Sequence, residues 1–492
     1  MRRSVTAAAA VLTALALTPV TLSAAAAPYK GANTAAVQDD FNGDGYRDLA
    51  VGAPHAANGT AEGAGAVVVL YGSRSSVSTT RRQVVSQNTA GIPGTGEDSD
   101  AFGAAVASAD LDRDGYADLI VGAPGEDAGS LQSRGAVSVV WGGARGLGGA
   151  SLVALPAGYG EGRTYCRFGL SLATGDMNGD GAPELSVGSG CDAVSYTGPF
   201  TRRGAAADRY IENRVGDVPA VVMGDVNGDG RAERFWLAGA VSDDHRGTVW
   251  LDLRGTKPRG EYIDNWPLKL PYADGYSGRI GDINGDGYGD LVTGIPSDPA
   301  LGGDARKGGE IQVLYGSAHG ITPTQKPAVI HQDTPGVPGT AQGGDGFGYA
   351  LSVGDVDGDR YADVAVGVPF KNIGTRTWAG AAVLLRGSAR GLTTAGARFY
   401  SQNTSGVPDT AETYDFFGTA VHLADLTADR RAETVIGVPG ENTDGALWTA
   451  RGASTGPAPA GSVHISGKSA GITVRGLDAE FGAALPSSQA ER

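Results

Sequence analysis

The sequence predicts an all-β fold, a seven-bladed β-propeller of four-stranded antiparallel blades, and three observations carry that reading. The segment Asp40-Phe41-Asn42-Gly43-Asp44-Gly45-Tyr46-Arg47-Asp48 runs into apolar Leu49-Ala50-Val51 and then Gly52-Ala53-Pro54, and the pattern reopens at Asp110, Asp176, Asp225, Asp282, Asp355 and Asp425. Eighty glycines against three methionines, with apolar runs of five to eight residues and no helical stripe, read as short strands joined by turns. The copies lie 70, 66, 49, 57, 73 and 70 residues apart, room for about four short strands each. Closing such units into a ring removes the sheet edges that an open array would expose.

Taken in order, residues 1–27 read as a secretory signal: Arg2 and Arg3, an apolar run from Ala7 to Leu17, and a small-residue tail from Ser23 to Ala27. Residues 28–492 read as one propeller domain, with no second segment long and apolar enough to span a bilayer. In the second unit, strands are expected over Phe102 to Ser108, Leu119 to Val121, Gly135 to Trp141 and Ser151 to Leu155. A turn between the third and fourth strands recurs as Tyr71-Gly72-Ser73, Gly142 to Leu147, Tyr315 to Ile321, Arg386 to Leu392 and, on this reading, Ser466 to Ile472. Three connectors resemble one another: Ser86 to Gly103, His331 to Gly348 and Ser401 to Gly418. Each carries an acid two residues before Phe-Gly: Asp100, Asp345 and Asp415. Their repetition favours ordering of the connector over catalysis. In up-and-down blades the Asp-rich loops share one face with the turns, and the connectors share the other with the loops between strands two and three.

The Asp-rich loops read as cages for a hard cation, and calcium is the expected ion. Oxygen-bearing side chains recur at positions one, three, five and nine, with Gly usually at position six, where a tight turn needs positive φ. The ligand sets are Asp40, Asn42, Asp44, Tyr46 and Asp48; Asp110, Asp112, Asp114, Tyr116 and Asp118; and Asp282, Asn284, Asp286, Tyr288 and Asp290. Loops three, four and six offer Asp176, Asn178, Asp180 and Glu184; Asp225, Asn227, Asp229 and Glu233; and Asp355, Asp357, Asp359 and Asp363. Loops one, two and five keep every ligand type and the Gly, so they are expected to bind best. Loop six has Arg360 in place of that Gly. Loop seven replaces a ligand with Thr427 and sets Arg430 beside the site, so it is expected to be weak or empty. Position twelve is Val51, Val121 or Thr293 rather than the acid of an EF-hand, and a strand follows instead of a helix. The net charge is −15, or −17 without Arg2 and Arg3, which argues against nucleic acid and anionic membrane as partners. Seven divalent ions would nearly cancel it.

The residues Phe102-Gly103, Asp110 to Asp118 and Gly122-Ala123-Pro124 spell out the FG-GAP repeat, and the chain resembles the β-propeller of integrin alpha subunits and its bacterial relatives. The resemblance implies seven blades, calcium in the hairpins between strands one and two, and extracellular binding or adhesion on the opposite face. The pattern departs from the family where Phe-Gly is missing before Asp225 and Asp282, and where Gly-Ala-Pro becomes Gly188-Ser189-Gly190 and Leu237-Ala238-Gly239. Integrin leg domains and a membrane anchor are not matched, nor is the catalytic domain that precedes such repeats in glycosylphosphatidylinositol-specific phospholipases.

No catalytic constellation emerges. The six histidines (His55, His245, His319, His331, His422, His464) are scattered, and Gly-x-Ser-x-Gly around Ser454 and Ser469 lacks the strand-turn-helix setting of a nucleophile elbow. The expectation is a secreted, monomeric, calcium-binding module for an extracellular protein or glycan; the alternative is an extracellular hydrolase or lyase acting on polysaccharide or lipid. Asn58-Gly59-Thr60 and Asn403-Thr404-Ser405 are sequons. Cys166 and Cys191 flank the third cage nearly symmetrically, so they are expected to face each other across the first two strands of that blade and to pair in an oxidising space. Phe481-Gly482 starts an unpaired eighth copy, while the first cage has none before it, so Glu480 to Pro486 is expected to supply the innermost strand of blade one. The rival for that slot is Asn33 to Gln38.

Overall fold

The computed structural model describes residues 36–212, 220–238, 249–253, 267–297 and 306–486; the expected signal segment 1–27 and the start of the rival strand lie outside them. Seven antiparallel sheets follow one another in chain order. Blade one has β1 (Leu49–Ala53), β2 (Ala66–Leu70) and β3 (Arg82–Val85); blade two has β4 (Ala105–Ala109), β5 (Asp118–Ala123), β6 (Ala136–Val140) and β7 (Ala150–Leu152). Blade three has β8 (Ser171–Gly175), β9 (Glu184–Gly188), β10 (Ala193–Thr197) and β11 (Asp208–Glu212); blade four has β12 (Ala220–Gly224), β13 (Glu233–Leu237), β14 (Val249–Asp252) and β15 (Leu268–Leu270). Blade five has β16 (Ser277–Gly281), β17 (Asp290–Ile295), β18 (Glu310–Leu314) and β19 (Ala328–His331); blade six has β20 (Leu351–Gly354), β21 (Asp363–Val368), β22 (Ala381–Arg386) and β23 (Thr393–Tyr400). Blade seven has β24 (Val421–Ala424), β25 (Glu433–Val438), β26 (Ala446–Ala450) and β27 (Val463–Ser466), followed by the one-turn helix α1 (Gly467–Ala470).

The second and third strands of blades one, two and six are near-continuous Val, Leu, Ile, Ala and Gly because both of their faces are covered by neighbouring blades. Buried apolar clusters fill each junction. One joins Val69 and Val85 of blade one to Leu119 and Val121 of blade two, and another joins Val435 and Leu447 of blade seven back to Leu49 and Val68 of blade one. The ring is therefore closed.

The repeat motif explains its own spacing. Phe102 N–H donates to the Ala64 carbonyl of the preceding blade (3.0 Å), Gly103 N–H donates to Gly122 O (2.9 Å), and the Phe102 ring is buried between the blades. The Gly103 carbonyl then lies 2.1 Å from where a Cβ on Gly52 would sit, so the Gly of Gly-Ala-Pro cannot carry a side chain. Gly122 meets Gly169 and Gly437 meets Gly482 in the same way.

The C-terminal segment takes the last place in this scheme. Gly482 N–H donates to Gly52 O (3.0 Å), Gly52 N–H donates to Ala484 O (2.9 Å), and Phe481 is fully buried between blades seven and one. Residues 483–485 line the central cavity of about 300 Å³ beside the first strands of blades two to seven. The innermost position of blade one is thus filled from the other end of the chain, by a two-residue bridge rather than a full strand.

Two expectations need correction. Ser466 to Ile472 is not a turn between strands three and four: in blade seven that turn runs from Arg451 to Ser462, and Ser466 instead caps α1 by accepting from Ser469 N–H (3.2 Å). Ser469 does follow a strand into a helical turn, but its hydroxyl donates to the Ser466 carbonyl (2.8 Å). Cys166 and Cys191 are bonded, with their Cα atoms 4.8 Å apart, but they sit beyond β8 and β9 at the open end of the hairpin rather than across the two strands.

Candidate functional site

Each Asp-rich loop folds around its first residue. Asp40 Oδ1 accepts from Gly43 and Asp44 N–H (2.6 and 3.1 Å) and its Oδ2 from Gly45 N–H (2.9 Å). Asn42 Oδ1 accepts from Asp44 N–H (2.8 Å) and Asp44 Oδ1 from Tyr46 N–H (3.1 Å). The same bonds recur around Asp282, with Asn284, Asp286 and Tyr288 in the equivalent roles, and around Asp355 with Asp357 and Asp359. Asp176 accepts from two loop N–H groups and Asp225 from three, and Asn178, Asp180, Asn227 and Asp229 continue the pattern. Short polar side chains holding nearby backbone N–H groups fix the loop before any ligand arrives.

The ninth residue is the keystone. Asp48 Oδ2 accepts from Phe41 N–H (2.9 Å) and its Oδ1 from Gly72 N–H (2.8 Å), tying the loop to the end of β2. Asp118, Asp290 and Asp363 repeat both bonds with Leu111 and Gly142, Ile283 and Gly316, and Val356 and Gly387. Glu184, Glu233 and Glu433 reach Met177, Val226 and Leu426 N–H through the longer side chain. Burial pushes the Asp48 carboxyl up to about 8, against its backbone donors, and nearby Asp40 and Asp44 add repulsion. Burial likewise lifts Glu184, Glu233, Asp290, Asp363 and Glu433 to about 7.

The donors are oxygens throughout, which fits a hard divalent cation. In loops two and six the acids converge: one oxygen from each of Asp110, Asp112 and Asp118, and from each of Asp355, Asp357 and Asp359, lie within 4.8 Å of one another. Loops one, three, four and five carry the amide oxygen of Asn at the third position. The seventh residue has a second use. A Cβ on Gly43 would lie 2.6 Å from the Tyr116 ring of the next loop, and Tyr288 covers Gly228 and Tyr361 covers Gly285 in the same way. Its side chain packs loop on loop, so only its carbonyl is left to turn inward. Ala117 N–H donates to Asp40 O (3.1 Å), and Ala362 to Asp282 O (3.0 Å), extending the chain of loops.

Arginines reach these loops from elsewhere in the chain. Arg81 meets Asp44 at 2.9 Å, Arg202 meets Asp112 at 2.5 Å and also Asp114, and Arg386 meets Asp363 at 3.0 Å and also Asp357. Sequence spacing gives no sign of these partners, since Arg202 lies 90 residues from Asp112. In the connectors, Asp100, Asp345 and Asp415 accept from Glu97, Gln342 and Glu412 N–H (2.6, 2.8 and 2.5 Å), the ordering role expected of them.

A profile of the FG-GAP repeat matches residues 32–70, 102–140, 275–314 and 347–385. The chain is an integrin alpha-like FG-GAP β-propeller. It is 35% identical to bovine phosphatidylinositol-glycan-specific phospholipase D over 163 residues, 33% of this chain and 19% of that protein. It is 33% identical to integrin alpha-PS2 of Drosophila melanogaster over 201 residues, and 32% identical to mouse integrin alpha-IIb over 225. Those matches cover 41% and 40% of the chain, and 11% and 20% of the two integrins. Among the described residues of the propeller, no helix is long and apolar enough to cross a membrane.

The connector face of this FG-GAP propeller carries a ladder of aromatic rings across blades five to seven. Tyr276 meets Tyr349 (6.1 Å between centroids), Tyr349 meets Phe370 (5.4 Å), Phe370 meets Trp378 (5.7 Å), and Trp378 meets Tyr414 (5.7 Å). Phe416 packs beneath Trp378 and Phe370. Tyr276, Trp378 and Tyr414 are 44–52% exposed. The connector leading into blade two makes the same backbone bonds with Ser99, Ala101 and Gly63 where this one has Tyr414, Phe416 and Trp378. The scaffold thus does not require rings there.

Proposed function

We propose that this protein is a secreted, calcium-binding propeller that recognises an extracellular protein or glycan on its connector face. The observation that carries this reading is the exposed aromatic ladder from Tyr276 to Tyr414. Flat apolar faces with polar edges suit stacking on sugar rings and anchoring of protein partners. The likeness to integrin alpha subunits supports a binding role, and the oxygen-lined cages opposite support calcium as the cation. The cages then stiffen the platform from beneath. The rival reading, a hydrolase or lyase working in the central cavity, finds less support. Among the described residues the cavity lining is Ala, Val, Leu, Gly, Ser, Thr and Tyr with Arg279, with no carboxylate or imidazole for proton transfer.

Glycan and protein arrays probed with the calcium-loaded protein test the proposal. Saturable binding without turnover is expected, and Trp378→Ala with Tyr414→Ala should weaken it by about 2 kcal/mol or more, as for anchoring aromatics. Binding that is indifferent to both substitutions, or turnover of an arrayed ligand, would overturn it.

A further inference from the structure

We infer that the connector entering blade seven holds a second kind of metal site: a divalent transition cation bound by Asp409, Glu441 and His464, distinct from the Asp-rich cages. One oxygen of Asp409, one oxygen of Glu441 and a ring nitrogen of His464 lie within 4.8 Å of one another. One further atom points to a missing ligand. His464 Nε2 is buried and unsatisfied, 3.9 Å from Asp409 Oδ2. Leaving such a ring nitrogen unpaired is costly, and a cation would satisfy it. Gln402 donates its amide N–H to Glu441 Oε2 (2.5 Å) and so orients that carboxylate, as Gln87 does Glu126 in blade two.

The repeat supplies its own controls. In blade six the position of Glu441 is Lys371, whose ammonium donates to Asp345 Oδ2 (2.6 Å) and to the Thr340 carbonyl, so a cationic head already stands there. Gly339, whose Cβ would lie 3.6 Å from the Gln332 amide, takes the place of Asp409. Phe399, paired with Val383 as His464 is with Trp448, takes the place of the histidine. In blade two the same three places hold Gly94, Glu126 and Leu152. Of these three blades, and among the described residues, only blade seven brings Asp, Glu and His together. Asp409 does so at φ 77°, where the other two connectors use Gly at φ 100°. The scaffold therefore asks for glycine, and the carboxylate is retained against that preference.

Two carboxylates and one imidazole suit a borderline ion such as zinc better than calcium, whose sites are all oxygen. Asp409 is 36% exposed on its side chain, so a cation can reach the group from solvent.

The test is a zinc titration, read by calorimetry and by metal analysis after dialysis, on the full protein held in excess calcium. One zinc per chain is expected beyond the calcium. Asp409→Gly and His464→Phe, each borrowed from the equivalent place in blade six, should weaken it by about 100-fold or more with no fall in melting temperature in calcium. Asp409→Gly relieves a positive φ and so guards against a loss caused by misfolding. Cobalt in place of zinc should show visible absorption bands that His464→Phe abolishes. No zinc uptake by the wild type in calcium, or unchanged uptake in either variant, would overturn the site.

Discussion

The sixth residue of each cage shows how one side chain is constrained by backbone geometry. Gly45, Gly115, Gly181, Gly230 and Gly287 all take φ between 78° and 90° there, and Arg360 and Arg430 are held at 74° and 69° in the same turn. An L side chain in that region costs about 1–2 kcal/mol, and both arginines are exposed, so little packing offsets it. Part of any gain from glycine is lost to the freer unfolded chain. Arg360→Gly and Arg430→Gly should therefore each stabilise the calcium-free protein by about 0.5–1 kcal/mol in chemical denaturation, while Gly45→Arg should cost a similar amount. Equal midpoints for variant and parent would show that the turn tolerates the side chain. The sequence exposed this site because a break in a repeat is visible, as at Arg360. It did not expose the fourth position, where Arg113 and Ala428 also take positive φ, because Gly43, Gly179 and Gly358 read as loop composition alone.

At the scale of the element, the hairpin between a blade's first two strands depends on a buried ninth carboxyl whose charge nothing but a cation or a proton can relieve cheaply. In the metal-free protein these groups hold their protons to about pH 7 for Glu184, Glu233, Asp290, Asp363 and Glu433, and to about 8 for Asp48. The unfolded chain releases them near pH 4. A raised folded pKa contributes stability that is complete below the unfolded value and lost as pH rises through the folded one. Calcium-free protein should thus melt at a lower temperature at pH 8.5 than at pH 5.5. Saturating calcium should raise the melting temperature most at pH 8.5, because each bound site adds RT ln(1 + [L]/Kd) and replaces the proton. A calcium-free melt that is level or rising over that range would contradict the keystone role. Much of this element was legible: acids in register, a Gly turn, an apolar exit strand. Arg81, Arg202 and Arg386 were not, since only the closed sheet brings them to Asp44, Asp112 and Asp357. Nor was the grouping of Asp409, Glu441 and His464, whose members come from a connector, a loop and a fourth strand.

For the whole molecule, everything turns on the junction where the ring closes, because a propeller with an unfilled innermost position exposes the edge of β1. Closure was legible from a mismatch of phase: Phe-Gly pairs precede cages two, three, six and seven, none precedes the first, and Phe481-Gly482 is left over. The structure places that pair in the slot its counterparts occupy. Phe481 forms a parallel bridge to Gly445 as Phe417 does to Gly380, and both rings are 0% exposed. Equal burial in equivalent slots implies equal cost of removal, about 3–5 kcal/mol for each Phe→Ala. Phe481→Ala should therefore lower stability as much as Phe417→Ala, although it lies at the chain's end, where truncation is ordinarily tolerated. Deleting Leu477 to Arg492 should cost more still and promote aggregation, as light scattering during a thermal ramp would record. A Phe481→Ala protein that melts with the wild type while Phe417→Ala melts early would mean that the C-terminal strand is a passenger and that the first blade is completed by the chain before Asp40.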